Sequence, residues 1–138
     1  MTFGIPLRGL SVILHTLLLS SVVIAGEVIW LSNCQNSQGI KSSQIAYHSN
    51  PRNGDYPQSI ATVPTSWDQA VNWEGRTVSA TFQDGNVFTS HINSGQVAEY
   101  GYAGSGENSA SSFTCWKHWQ PNLYQMEGGG QCSQVYWC

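Results

Sequence analysis

Residues 76–92 read RTVSATFQDGNVFTSHI, two runs in which polar and apolar side chains alternate, with Asp84-Gly85 between them. Alternation with a period of two is typical of a β-strand that has one buried face. If Asp84-Gly85 formed a two-residue turn, Val78 would lie opposite His91, and both faces of the hairpin would mix polar with apolar side chains. Such a hairpin would have no face suited to a core.

A three-residue loop, Gln83 to Gly85 with Gly85 as a bulge, gives a better separation of the two faces. It places Ala80 opposite Phe88 and Arg76 opposite Ile92. We predict this register, in which one face is apolar and carries Val78, Ala80, Phe82, Phe88 and Ile92. The opposite face is expected to meet solvent and carries Thr77, Ser79, Thr81, Val87, Thr89 and His91.

Further runs of strand character lie on both sides of this hairpin and are bounded by Gly, Pro, Asn and Asp residues. They are residues 27–34, 43–49, 96–102, 111–119, 122–126 and 131–138. Short strands at near-regular spacing predict an all-β fold, a small antiparallel β-sandwich or barrel. At most one short helix is expected, at residues 67–73, where Ser66 can act as the N-cap and Gln69 completes a capping box.

The first 25 residues have the pattern of a secretory signal peptide. Arg8 is the only charged residue in the first 26, and it precedes an apolar run from Leu10 to Ala25. We expect cleavage after Ala25, with Gly26 as the alternative, which leaves one domain at residues 26–138. A membrane anchor would need about 20 strongly apolar residues, and His15 interrupts this run. The protein is therefore predicted to be secreted, with no membrane span after cleavage.

The four cysteines, an even number in an exported chain, are expected to form two disulfides. If residues 131–138 are extended, the Cα atoms of Cys132 and Cys138 lie about 20 Å apart, too far for a bond between them. Cys34 then pairs with one of these two residues and Cys115 with the other, and both arrangements remain open. No Cys/His spacing typical of zinc is present, and we predict neither a metal site nor a cofactor.

The composition argues against general nucleic-acid binding, but it does not show whether the many aromatic side chains fill a core or form a binding surface. Only 9% of the residues are charged and the formal net charge is −3, so the chain lacks the basic surplus that general nucleic-acid binding needs. Aromatic residues make up 12% of the chain, including six Trp and six Tyr. Such side chains fill cores and also form binding surfaces.

One set of residues could support catalysis: His48, Glu74, Arg76 and His91. Two imidazoles, a carboxylate and a guanidinium can cleave RNA without a metal. In its residue types and their order along the chain, the set resembles the catalytic residues of the small guanyl-specific ribonucleases that fungi secrete. However, the predicted register puts His91 on the face opposite Glu74 and Arg76. We favour a structural interpretation, with an ion pair between Glu74 and Arg76 and an exposed His91.

The binding hypothesis rests on aromatic side chains two positions apart, which project to the same side of a strand. Such pairs are Tyr100 with Tyr102 and Trp116 with His118. Because Cys115 should point inward toward its disulfide partner, Trp119 should be buried with it and Trp116 more exposed. Exposed rings of this kind stack on sugars or anchor a protein partner, and Trp137 is a further candidate for a sugar-binding pair.

The leader, the four cysteines with Cys138 at the C-terminus, and the Gly/Ser/Asn-rich strand pattern resemble the small secreted cysteine-paired β-proteins of fungi, many of which are effector-like. The resemblance implies a binding protein that acts on a protein or glycan of a host or competing organism. It identifies no functional residue. The alternatives are a small metal-independent ribonuclease-like hydrolase and a carbohydrate-binding module.

Overall fold

The computed structural model describes residues 26–51 and 56–138, and the predicted signal peptide lies outside the described residues. Within these ranges the chain forms eight β-strands and no helix, which confirms the all-β prediction. The strands are β1 Val28–Asn36, β2 Lys41–His48, β3 Ser59–Thr62, β4 Arg76–Thr81, β5 Val87–Ile92, β6 Tyr102–Glu107, β7 Ser112–Gln125 and β8 Gly130–Trp137. Nowhere in the described part is there a helix with the length and apolar character needed to cross a bilayer.

The strands form one antiparallel sheet in the order β3-β2-β1-β8-β7-β6-β5-β4. Strands that follow one another in the chain pair with each other, except β3 and β4, and β1 pairs with β8. The sheet curls so that the β3 and β4 edges approach each other. The fold is therefore a nearly closed eight-stranded barrel, one of the two architectures predicted.

The interior of the barrel is filled mainly by inward-facing strand residues, together with a few residues from the connections and the C-terminal Cys138. Ile29 and Leu31 of β1 point inward, and with them the interior contains Ile45, Ala61, Val63, Trp73, Val78, Ala80, Phe82, Phe88, Ile92, Ala103, Cys115, Val135, Tyr136 and Cys138. An eight-stranded barrel has an interior that side chains can fill. This packing makes the interior a core rather than a channel.

The central hairpin has the predicted register. Ala80 lies opposite Phe88 and Arg76 opposite Ile92. Gly85 has a φ of 87°, the left-handed conformation that the bulge requires, and its N–H donates to the Phe82 carbonyl. The apolar face is buried in the barrel interior, and the predicted polar face forms part of the outer wall.

Replacing His91 by alanine should change the free energy of unfolding by no more than about 0.5 kcal/mol. The ring lies on the outer wall, where it contacts Thr77 Oγ1 and Glu107 Oε1, both at 3.1 Å. Urea denaturation of the two proteins measures the difference. The inward-facing neighbour provides the control, since Ile92→Val should cost about 0.5–1.5 kcal/mol. A loss above about 2 kcal/mol for His91→Ala would contradict this placement of the ring.

The short helix predicted at residues 67–73 does not form. Asp68 has a φ of 56° and its carboxylate accepts a hydrogen bond from the Lys41 N–H. The Val71 N–H donates to Ser43 Oγ rather than to a carbonyl within the segment. Contacts with β2 therefore take the place of a helical turn, and the segment crosses the gap between β3 and β4 with Trp73 in the core.

The structure differs from the predicted strands at three places. The first is β3, which was not predicted. The second is β6, which was predicted at residues 96–102 but begins at Tyr102. It runs through Gly104-Ser105-Gly106, a stretch whose composition is typical of a turn. Gly106 is needed there because a Cβ atom would clash with the Phe88 ring. The two strands predicted on either side of Pro121 form the single strand β7, which continues through two irregularities in its register with β8.

Two disulfides join the sheet, Cys34–Cys132 and Cys115–Cys138. This confirms two bonds and selects one of the two arrangements that the spacing left open. Cys34 and Cys132 are directly opposite each other on β1 and β8, on the outer wall. Cys115 and Cys138 meet in the barrel interior. The strand register, and not the spacing of the cysteines, decides the pairing.

Candidate functional site

A row of four aromatic side chains crosses the outer wall of the barrel. Trp30 on β1 lies opposite Trp137 on β8, Trp137 lies opposite Trp116 on β7, and Trp116 lies opposite Tyr102 on β6. Directly opposed residues on neighbouring antiparallel strands project to the same face. Because the neighbours of Trp30 in the chain, Ile29 and Leu31, point into the core, this face is the outer one.

The β1 end of the row is covered. Trp30 packs in a small outer cluster with Ala46, Tyr124 and the Cys34–Cys132 disulfide. Its ring lies 6.3 Å from that of Tyr124 and 6.0 Å from that of His48. Tyr124 in turn donates a hydrogen bond to Gln44 Oε1 at 2.9 Å, and burial raises its pKa. This part of the row is a second core on the outside of the sheet.

The β6 end of the row is accessible, and we call it the aromatic surface. Trp116 and Trp137 are half-buried, with ring centroids 6.4 Å apart and planes 28° apart. Tyr102 is 57% exposed and meets the Trp116 ring edge-on at 6.2 Å. Tyr100 and His118 complete the surface as a stacked pair with centroids 4.8 Å apart.

The loop before β6 is held against β7 by short hydrogen bonds. Tyr100, at a φ of 64°, donates its N–H to the Lys117 carbonyl at 2.7 Å. The Glu99 carboxylate accepts hydrogen bonds from His118 Nδ1 and from the Trp119 N–H, both at 2.8 Å. The bond from His118 lowers the pKa of Glu99, followed by that from Trp119, so the carboxylate remains an acceptor. These bonds set the position of the Tyr100 ring over His118.

The structure thus places the four residues of the binding hypothesis in two pairs of contacting rings, Tyr102 with Trp116 and Tyr100 with His118, and it puts the further candidate Trp137 beside Trp116. Two details of the prediction were wrong. Tyr100 lies in a turn and not on the strand of Tyr102, and its ring reaches the surface through the backbone bond to Lys117. Trp119, expected to be buried with Cys115, is 51% exposed because the register of β7 shifts after Lys117.

Two residues that the sequence analysis did not single out shape this surface. Glu99 positions His118, and Trp30 continues the row beneath Tyr124. No local pattern in the sequence marks either residue. Each acquires its role from a strand that lies far away in the chain.

The residues of the catalytic hypothesis lie in different surroundings. His48 is buried beside Trp30 on the outer wall, and its Nδ1 accepts the Asn50 N–H. Glu74 accepts a short hydrogen bond from the Tyr136 hydroxyl, and burial together with this carboxylate raises the pKa of Tyr136. Arg76 is exposed at the start of β4, and His91 lies on the outer wall.

No hydrogen bond or ion pair within residues 26–51 and 56–138 joins Glu74, Arg76 and His91 to one another. The ion pair expected between Glu74 and Arg76 is therefore not formed, because Glu74 turns toward Tyr136. The same part of the chain contains no group of three or more His, Cys, Asp or Glu side chains placed to hold a metal ion. Glu74 lines a surface pocket with Lys117 and Tyr136, and neither Arg76 nor His91 is among the described residues that line it.

Comparison with known proteins adds no functional assignment. No family model matches the chain, and no curated protein or solved structure is significantly similar to it. The geometry of the aromatic surface is therefore the basis for a functional proposal.

Proposed function

We propose that this protein is a secreted, disulfide-stabilised binding protein of the effector-like kind, and that its aromatic surface binds a glycan of a host or competing organism. The observation that supports the proposal is a pair of accessible ring groups, Tyr102 with Trp116 and Trp137 on the outer wall and Tyr100 stacked on His118, of which Tyr100 is 71% exposed. Contiguous exposed apolar surface on a small domain marks an interaction site. The two disulfides are consistent with an oxidising, extracellular environment.

Of the rings of this surface, Trp137 packs against the outer cluster around Trp30, whereas Tyr102 and Trp116 belong to neither core cluster. The barrel interior is occupied by other side chains, and the outer cluster around Trp30 has its own cover in Tyr124. Tyr102 and Trp116 receive no comparable cover from the described residues, although their row is continuous with the buried half. Binding accounts for large aromatic side chains that remain accessible at this position.

The chemistry of the surface favours a glycan. The Trp116 and Trp137 rings lie within 28° of parallel, and the apolar face of a sugar ring packs on aromatic side chains of this kind. The neighbouring outward positions on the same wall, Thr114 and Ser105, are exposed hydroxyls that can bond to sugar hydroxyls. The Glu99 charge is already engaged by His118, which suits a neutral ligand.

The ribonuclease-like alternative has less support. It needs two groups of the catalytic set on one side of a cleft, whereas His91 lies on the outer wall and Glu74 is bonded to Tyr136. An RNA-cleavage assay without added metal still distinguishes the two functions. Cleavage that His91→Ala abolishes would favour the hydrolase over the binding protein.

Replacing Trp116 by alanine should weaken glycan binding by about thirtyfold, since the loss of an aromatic anchor costs about 2 kcal/mol. The measurement is a glycan array with the oxidised mature protein, followed by titration calorimetry with the glycan that it retains. Trp67→Ala is the matched control, because Trp67 is 80% exposed and lies outside the aromatic surface. Its affinity should equal that of the unmodified protein.

Two outcomes would count against the proposal. Equal affinity of the Trp116→Ala and Trp67→Ala proteins would show that glycan binding does not use the aromatic surface. Failure to retain any glycan, combined with Trp116-dependent binding to a protein ligand, would replace the glycan by a protein partner. A circular dichroism spectrum that changes in Trp116→Ala would require the test to be repeated with Tyr102→Ala, whose ring is more exposed.

A further inference from the structure

A pocket of about 300 Å³ opens at one end of the barrel, away from the aromatic surface. It lies where β1 begins and where the turns between β4 and β5 and between β6 and β7 meet. The mouth of a small barrel is a common place for a ligand site, and this volume lies at the lower end of the range for small-molecule pockets. It can accept one ring or a short alkyl chain.

The floor of the pocket is apolar. Ile29, Phe82 and Phe88 form it, and all three belong to the barrel interior. An apolar floor of this kind favours a ligand that carries a hydrocarbon body, because its burial removes apolar surface from water. The floor also excludes a site for a bare hard cation, which needs oxygen ligands on most sides.

The rim of the pocket is acidic. Glu27 and Asp84 both line it, and within the described part of the chain no Lys, Arg or His side chain does. Glu27 Oε1 accepts a hydrogen bond from the Tyr47 hydroxyl at 3.2 Å. Asp84 accepts bonds from the Asn86 N–H and side-chain amide at 2.9 and 2.7 Å, which hold the pKa of that carboxyl below its usual range.

We propose that this pocket binds a small organic amine, with its apolar body on the Phe82 and Phe88 floor and its ammonium group at the Glu27 and Asp84 rim. The acidic rim matches the positive charge of the ammonium group, and the apolar floor matches the hydrocarbon body. An ammonium group donates up to three hydrogen bonds, and carboxylates are acceptors only. The site shares no residue with the aromatic surface and does not depend on glycan binding.

Three probes of similar size test the charge preference on the unmodified protein: 2-phenylethylamine, 2-phenylethanol and 3-phenylpropionate. Titrations followed by amide NMR should show saturable shifts at Val87 and Ala110, which line the pocket, with the amine. The alcohol should bind at least about tenfold more weakly and the carboxylate not measurably, because it would face two like charges. Equal affinity for the amine and the carboxylate, or shifts confined to other residues, would overturn the proposal.

A charge-removing variant tests the rim. Glu27→Gln/Asp84→Asn should weaken 2-phenylethylamine binding by about tenfold or more and leave the alcohol unchanged. The control is Glu107→Gln/Glu127→Gln, which removes two exposed carboxylates that do not line the pocket. If both variants bind 2-phenylethylamine more weakly by the same factor, the loss is due to the change in net charge, and the assigned site is wrong. If the first variant fails to fold, the comparison of the three probes decides.

Discussion

Replacing Cys34 and Cys132 together by alanine should lower the free energy of unfolding by about 4.7 kcal/mol. The bond closes a loop with a sequence separation of 98, and a cross-link of that span restricts the unfolded chain by about this amount. It also ties β1 to β8, the pair that joins the first three strands to the other five in the sheet. Urea denaturation under oxidising conditions, with the remaining disulfide intact, measures the loss.

The second disulfide supplies the matched control. Cys115→Ala/Cys138→Ala removes a bond with a sequence separation of only 23, so the same treatment gives a loss of about 3.4 kcal/mol. The variant without the Cys34–Cys132 bond should therefore be the less stable of the two. An unchanged denaturation midpoint in either variant, or the reverse order of stability, would contradict this account of the two bonds.

Replacing Trp73 by alanine should lower the free energy of unfolding by about 3–5 kcal/mol, the cost of deleting a large buried ring. Trp73 is only 1% exposed and its Nε1–H donates to Asn33 Oδ1 at 2.9 Å. β3 and β4 are not hydrogen-bonded to each other, and Trp73 packs in the core from the connection between these two edges of the nearly closed barrel. Thermal and urea denaturation of the purified protein measure the effect.

Trp67, six positions earlier in the same connection, is the control for Trp73. It is 80% exposed, and Trp67→Ala should change the free energy of unfolding by no more than about 0.5 kcal/mol. Trp73→Phe removes the hydrogen bond but keeps a large ring, and it should cost about 0.5–1.5 kcal/mol, since Ser43 Oγ still donates to Asn33 Oδ1. A loss below about 1 kcal/mol in Trp73→Ala would show that the gap is closed by other contacts.

The register of the central hairpin could be predicted because it depends on residues that are close together in the sequence. Polar and apolar residues alternate on both sides of Gly85, and only one loop length puts Ala80 opposite Phe88. The segment around Trp73 could not be predicted in the same way. Its sequence fits a capped helix, but hydrogen bonds to Lys41 and Ser43 on β2 determine its conformation. Tertiary contacts override local preference where the local signal is short.

The candidate site shows the same division. Spacing within single strands identified Trp116 and His118 as residues that share a side. It could not show that Trp137 lies beside Trp116, because that contact depends on the pairing of β7 with β8. Nor could it show that Glu99, in the loop before β6, holds His118 on the neighbouring strand β7. The prediction for Trp119 was wrong because the register shift in β7 interrupts the alternation on which it rested.

The sequence alone determined that this protein is an all-β domain with two disulfides and a hairpin of known register. The alternation of polar and apolar residues and the turn residues act between neighbours in the chain, and the number of cysteines is a property of the composition. All three can be read without knowing the fold. Only the tertiary structure decided which cysteines pair, that the sheet curls into a nearly closed barrel, and that the rings gather on one wall. These features follow from contacts between strands that are far apart in the chain. Many strand pairings satisfy the local alternation of polar and apolar residues, and only the packing of the complete barrel selects one of them.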